Sequence, residues 1–187
     1  MSDAHDPRRW LLLIYRVPQD PPGRRTYVWR QLRQLGAVYL QQAAAVLPEQ
    51  PELRTALDAL SQRIREYGGE VSLLSTVSPD EDWERELLER FNQARDAEYT
   101  EIVENVERFE DEIKRERRKG RFTFAQLEDI DGEWEKLQRW YERIRARDFF
   151  RAPSRGGADD ALGRGQTELE TFTAEVSARE GAEPEDV

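Results

Sequence analysis

The sequence predicts an α+β protein: a βαββαβ sandwich over residues 8–77, followed by a long antiparallel helical hairpin and a short third helix over residues 78–180. Three observations carry this. Residues 10–77 alternate apolar runs of strand length with helix-period segments in the order β, α, β, β, α, β. Beyond Ser78, two long segments keep their apolar residues at alternating spacings of three and four. A short link at Lys119-Gly120 separates those segments, which makes the second fold back on the first.

The elements follow in order. Trp10–Val17 is a continuous apolar run between Arg8-Arg9 and Pro18, the pattern of a strand buried on both faces. Val28, Leu32 and Leu35 then fall at i, i+4, i+7, and Gly36 stands where a helix takes a left-handed terminal residue. Residues 37–47 suit two strands joined at Gln41-Gln42. Leu53, Leu57, Leu60, Ile64 and Tyr67 mark an amphipathic helix that stops at Gly68-Gly69, and Val71, Leu73 and Leu74 close the set as a last strand. Right-handed crossovers place both helices on one sheet face, which is the split-βαβ, ferredoxin-like arrangement and leaves the other face open.

Ser78-Pro79-Asp80-Glu81 reads as a capping box with proline at the first helical position. The helix it opens has a seam of Leu88, Phe91, Arg95, Tyr99, Ile102, Val106, Phe109 and Ile113, in which Arg95 alone is polar. The length of this arm makes a break or bend near Gln93–Ala97 the expectation. A second box at Thr123-x-x-Gln126, with Phe122 and Leu127 as its staple, opens the return helix, whose seam is Leu127, Ile130, Trp134, Leu137, Tyr141 and Ile144. Pro153 and Gly156-Gly157 interrupt the pattern before a weaker helix marked by Leu162, Leu169, Phe172 and Val176. Residues 181–187 read as a disordered acidic tail.

Charge is unevenly spread over a chain of net charge −10. Residues 1–78 hold ten basic and eight acidic side chains, residues 79–150 hold 15 and 22, and residues 151–187 hold four and nine. Negative total charge argues weakly against general nucleic-acid binding, yet charges more than a Debye length away are screened, so local patches govern contact. With no cysteine and no apolar run of membrane-spanning length, the sequence fits a reduced, cytoplasmic compartment. The only histidine, His5, lies in the N-terminal tail, so zinc sites and nucleophile–His catalysis are excluded; no catalytic residue, metal or cofactor is expected. Glu98, Glu101, Glu104 and Glu107 lie three apart, which is the wet face of an amphipathic helix before it is a metal site.

Two basic groups are candidates for binding. Lys114, Arg115, Arg117, Arg118, Lys119 and Arg121 cluster at the end of the long helix, where they suit backbone phosphates or, more blandly, the negative end of the helix dipole. Arg16, Arg24 and Arg25 gather near the start of the first helix, where guanidinium forks and free backbone N–H groups suit an oxyanion; the alternative is arginines lying along the sandwich rim. Arg30 and Arg33 extend that helix face. A base-stacking platform would need aromatics on the open sheet face, for which Tyr15 and Tyr39 are the candidates, with sheet packing as the ordinary alternative.

The stretches WLLLIYRVP, RTYVWRQLRQLGAVYLQQAAAVLP and IREYGGEVSLL, with FNQARDAEYTEI, RRKGRFTFAQLE and RWYERIRARDFF downstream, resemble the N-terminal region of the ChrB family in order and spacing over residues 8–180. The resemblance implies a regulator of chromate-resistance operons that binds operator DNA and responds to chromate or a similar oxyanion. The sandwich is also similar to the ferredoxin-like domain of PaaX-type repressors and of small dimeric nucleases of CRISPR adaptation, which implies a homodimer paired through its sheets. Those nucleases hold a metal with an acidic residue just after the first strand, where this sequence has Tyr15-Arg16-Val17-Pro18. An arginine there repels a cation, so no nuclease is expected. The alternative to a DNA-binding regulator is a non-catalytic dimeric module for protein–protein interaction. Longer ChrB proteins continue into a second domain tied to the chromate response; the resemblance implies that here either a separate chain supplies it or the protein lacks that role.

Overall fold

The computed structural model describes residues 8–20 and 22–180; His5 and the acidic segment 181–187 lie outside the described residues. The element order is β1 (Arg9–Arg16), α1 (Arg24–Gln34), β2 (Val38–Gln41), β3 (Ala44–Pro48), α2 (Pro51–Glu66), β4 (Glu70–Val77), α3 (Glu81–Lys119), α4 (Phe124–Arg145) and α5 (Arg155–Glu180). The four strands form one antiparallel sheet in the order β2-β3-β1-β4, the ferredoxin-like arrangement the sequence predicts. None of the described helices is long and apolar enough to cross a membrane.

The chain divides into two compact units, Met1–Asn92 and Gln93–Val187. In the first, alternation along β1 sends Leu11 and Leu13 to the face covered by α1 and α2, where they are buried with Val28, Leu32, Leu57 and Ile64. Gly36 and Gly68 end the two helices at φ 84° and 74°, values that a residue without Cβ adopts freely. Trp10 points to the opposite face, which is therefore not wholly open. The first turns of α3 lie on it: Trp83 meets Trp10 edge-on at 6.4 Å between ring centroids, and Phe91 stacks on it at 5.8 Å. Farther along the strands the covering stops. Ile14 and Leu74 remain 44% and 48% exposed. β1 is thus buried on both faces only over its first half.

Ser78 does not cap α3. Its hydroxyl accepts the Trp10 indole N–H at 2.9 Å and donates to Glu84 at 2.8 Å, while Asp80 caps the helix by accepting the Trp83 backbone N–H at 2.8 Å. A buried tryptophan needs an acceptor for its one donor, and the nearest hydroxyl serves that need first. Leu87 rather than Leu88 is the buried residue ahead of Phe91. α3 runs for 39 residues with no break at Gln93–Ala97.

The second unit is a three-helix bundle. Tyr99 faces Tyr141 and Phe109 faces Trp134, so α3 and α4 run antiparallel, as expected. The third helix is not short: α5 has 26 residues against 22 in α4, and it takes Gly156 and Gly157 into its first turn. It packs Phe172 on Phe122 and runs antiparallel to α4, with Trp134 bonded to Gln166 and Tyr141 to Asp159. Thr123 caps α4 through the Gln126 N–H at 3.3 Å, as its box predicts.

Candidate anion and nucleic-acid interfaces

In the sandwich unit, β1 ends at Arg16 and Pro18 prevents it from continuing. The chain turns through Gly23 at φ 97° into α1, whose first turn has no acidic side chain and no side-chain cap. The β2–β3 turn closes against the same end of β1 through the Tyr15 N–H to Ala43 carbonyl bond at 3.0 Å. Between these three pieces lies a cleft of about 910 Å³ whose lining includes Tyr15, Arg16, Gln19, Arg25, Trp29 and Gln42. None of the described residues lining it is acidic. Neither Arg16 nor Arg25 forms a salt bridge among the described residues, although Glu70 stands opposite Arg16 in the β1–β4 register.

Arg24 does not join them. Its Nη1 donates to the Tyr67 carbonyl at 3.0 Å and its guanidinium lies 5.0 Å from the Tyr67 ring centre, so it pins α1 to the end of α2. The three arginines predicted to gather for an oxyanion therefore reduce to two, because successive residues on a helix point about 100° apart. Tyr15 and Tyr39 are not on the open sheet face either. Tyr15 follows Leu13 by two residues on β1 and Tyr39 pairs with Ala45, the partner of Leu13, so both lie on the helix-covered side, and their hydroxyls meet at 3.1 Å. Burial, with the Tyr15 hydroxyl, pushes the Tyr39 phenol above its ordinary range.

At the end of α3 the six predicted basic residues have different surroundings. Arg117 turns inward, its Nη1 2.6 Å from Glu168 and its Nε 2.8 Å from Glu175, both on α5. Burial opposes its charge, but the bonds to Glu175 and Glu168 outweigh that and hold the guanidinium above its ordinary pKa. Lys119 and Arg121 lie 2.7 and 3.9 Å from the buried Glu116, whose carboxyl is held below its usual value chiefly by the Lys119 bond. Lys114 pairs with Asp111 at 3.1 Å. Arg115 donates to the Asp111 carbonyl, and Arg118 is exposed with no ion-pair partner among the described residues. The cluster is thus partly a structural one, in which Arg117 holds α5 against α3.

A second basic surface was not apparent from the linear sequence. A groove of about 570 Å³ between α3 and α4 is lined by Arg108, Arg115, Lys136 and Arg143, with Trp140 beside them and Glu112 and Glu133 as its acids. Arg108 lies 3.7 Å from Glu104, while Arg115, Lys136 and Arg143 have no carboxylate partner among the described residues. Lys136 and Arg143 are seven residues apart on α4, two turns along one face, and that spacing is the signal that could have found them.

The one polar seam residue, Arg95, opens a buried network. Its Nε lies 2.8 Å from Glu98, which Arg147 reaches from the other side at 2.9 Å; burial lowers the Arg95 pKa from its ordinary value. Next to it, Tyr99 donates to Asp148 at 3.0 Å, and Asp148 also accepts the Ala152 N–H at 3.0 Å. Arg95 Nε and Glu98 Oε2 lie close without hydrogen-bond geometry, and the Arg147–Glu98 and Tyr99–Asp148 bonds join α3 to the loop after α4. Of the four glutamates read as the wet face of α3, Glu98 belongs instead to this network while Glu101, Glu104 and Glu107 are exposed, and no group of three or more potential metal ligands occurs among the described residues.

The family model described as Protein ChrB, N-terminal, matches residues 25–183. The chain belongs to the ChrB N-terminal family. Its resemblance to a Protein ChrB of Cupriavidus metallidurans is 35% identity over 92 residues, which is 49% of this chain and 28% of that protein. The matched region is thus well under half of that relative. The ChrB family is connected with chromate resistance. Its model takes in α1 from Arg25 onward, the α3–α4 groove and all of α5, while β1 with Arg16 lies ahead of the matched residues.

Proposed function

We propose that this ChrB-family chain is a regulatory protein of chromate resistance that contacts DNA through the α3–α4 groove and receives a tetrahedral oxyanion, chromate or one like it, between Arg16 and Arg25. The observation that carries the DNA contact is the alignment of Arg115, Lys136 and Arg143 along one groove without carboxylate partners among the described residues, with Arg118 exposed at the same helix end. Such cations displace counterions from phosphates, whereas the neutralised Arg117 has none to displace. Gel-shift titration with DNA from upstream of the protein's own gene, at two salt concentrations, tests it. Retarded DNA at low salt, abolished by Lys136→Glu with Arg143→Glu, is the expected result; free DNA at low salt overturns the reading.

The role is non-catalytic, and DNA incubated with the protein and Mg²⁺ or Mn²⁺ is expected to remain intact. A second reading, a dimeric interaction module, is favoured by β4. This edge strand presents an outer row of unpaired backbone groups with no charge or proline between Val71 and Val77, and Leu74 and Val77 are exposed beside it. Sedimentation at equilibrium tests this pairing: a homodimer dissociated by Leu74→Arg supports it, and a monomer at all concentrations removes it.

A further inference from the structure

The cleft at the end of β1 holds more than its two arginines use. A volume of about 910 Å³ far exceeds what one tetrahedral oxyanion fills, and it falls within the roughly 300–1,000 Å³ of sites that enclose an organic ligand. One wall is Trp29, 43% exposed, which follows Arg25 by four residues on α1. That spacing sets the two side chains about one turn apart, roughly 6 Å along the axis, on a single helix face. Arg33, a further four residues on, lies 4.9 Å from the Trp29 ring centre, a cation–π contact that holds the indole in place. Gln19 and Gln42 bring amide donors and acceptors to the same space, and the described lining has no carboxylate. An isolated exposed tryptophan needs no explanation. One fixed in a cleft beside two unpaired guanidinium groups is different, because the pair selects a ligand that is anionic at one end and flat at the other.

We infer that the cleft binds a nucleotide, its phosphate between Arg16 and Arg25 and its base against Trp29, with Gln19 and Gln42 reaching the sugar or the base edge. This rests on the anion-site reading above and narrows it: the anion arrives attached to an aromatic ring. The free N–H groups of the α1 first turn add to the phosphate site. Arg24, committed to Tyr67, takes no part.

Isothermal titration calorimetry of the full chain against AMP, GMP, CMP, UMP and inorganic phosphate tests the inference. At least one nucleotide is expected to bind about tenfold or more tightly than phosphate, the margin a stacked base supplies. Trp29→Ala removes that margin and leaves phosphate binding as it was, Trp29→Phe keeps most of it, and Arg25→Ala weakens nucleotide and phosphate together. Both positions are exposed, and circular dichroism confirms that each variant folds. Phosphate binding as tight as every nucleotide, or a margin that survives Trp29→Ala, overturns the nucleotide and leaves the oxyanion site standing. No binding of any of the five, or Arg25→Ala without effect, overturns both.

Discussion

Glu49 shows how a side chain outside any proposed site governs stability. It accepts from Ser75 and from Arg9 and Arg54, the last two at 2.7 and 3.3 Å, and so joins the ends of β1, α2 and β4. These bonds, Ser75 first and Arg9 next, lower its pKa from 4.5 to about 2. A carboxylate with a depressed folded pKa stabilises above its unfolded value and loses that contribution as pH falls. Stability should therefore decline between about pH 4.5 and 2 through this group, and Glu49→Gln should flatten that part of the curve in urea titrations at stepped pH. Arg117 and Arg118 form a matched pair of a different kind. Arg117→Ala leaves Glu168 and Glu175 facing each other and is expected to cost about 1–2 kcal/mol, a partly exposed pair being worth less than a fully buried one. Arg118→Ala should leave the melting temperature unchanged and weaken DNA binding. Thermal melts and gel shifts on both variants check the contrast.

The third helix of the bundle depends on two neighbouring glycines with opposite demands. A Cβ on Gly165 would come within 2.6 Å of the Trp134 ring and 3.1 Å of Val106, whereas one on Gly163 meets nothing within 4 Å. Helical glycine costs about 0.5–1 kcal/mol relative to alanine, so Gly163→Ala should stabilise by that much. Gly165→Ala should instead destabilise by about 1–3 kcal/mol, because the indole of Trp134 is packed and bonded to Gln166 at 2.7 Å and has little room to retreat. Denaturant midpoints of the two variants test the difference. α5 is thereby a close-packed member of the bundle, its polar residues and glycines notwithstanding. Glycine that weakens a helix considered alone strengthens it here by letting an aromatic ring approach the backbone.

For the molecule as a whole, net charge −10 sets the conditions under which any DNA contact is observed. Three cations along the groove together with Arg118 correspond to a slope of about −3.6 in a plot of log affinity against log salt, at about −0.9 per phosphate. The acidic remainder makes binding shallow and easily lost, so affinity measured across a range of salt should give that slope. A slope near zero would show that the contact does not run through phosphates.

The order of strands and helices was legible in the residues themselves. Leu11 and Leu13, the seams from Phe91 to Ile113 and from Ile130 to Ile144, the box at Thr123 and the glycine stops at Gly36 and Gly68 are local signals. Each follows from period, capping or backbone sterics, and none depends on a distant partner. Arg16 and Arg25 were also visible as neighbours of one helix start. What could not be read was which polar groups were already spoken for. Ser78 looked like a cap until Trp10 claimed it, Arg24 like an anion ligand until it met Tyr67, and Arg117 like a free cation until α5 brought two carboxylates to it. Lys136 and Arg143 showed the converse, since they became part of a basic surface only beside Arg115 on another helix. The physical reason is range: periodicity and capping act within a turn or two of chain, whereas the pairing of charges is settled by side chains that folding brings together from far apart in sequence.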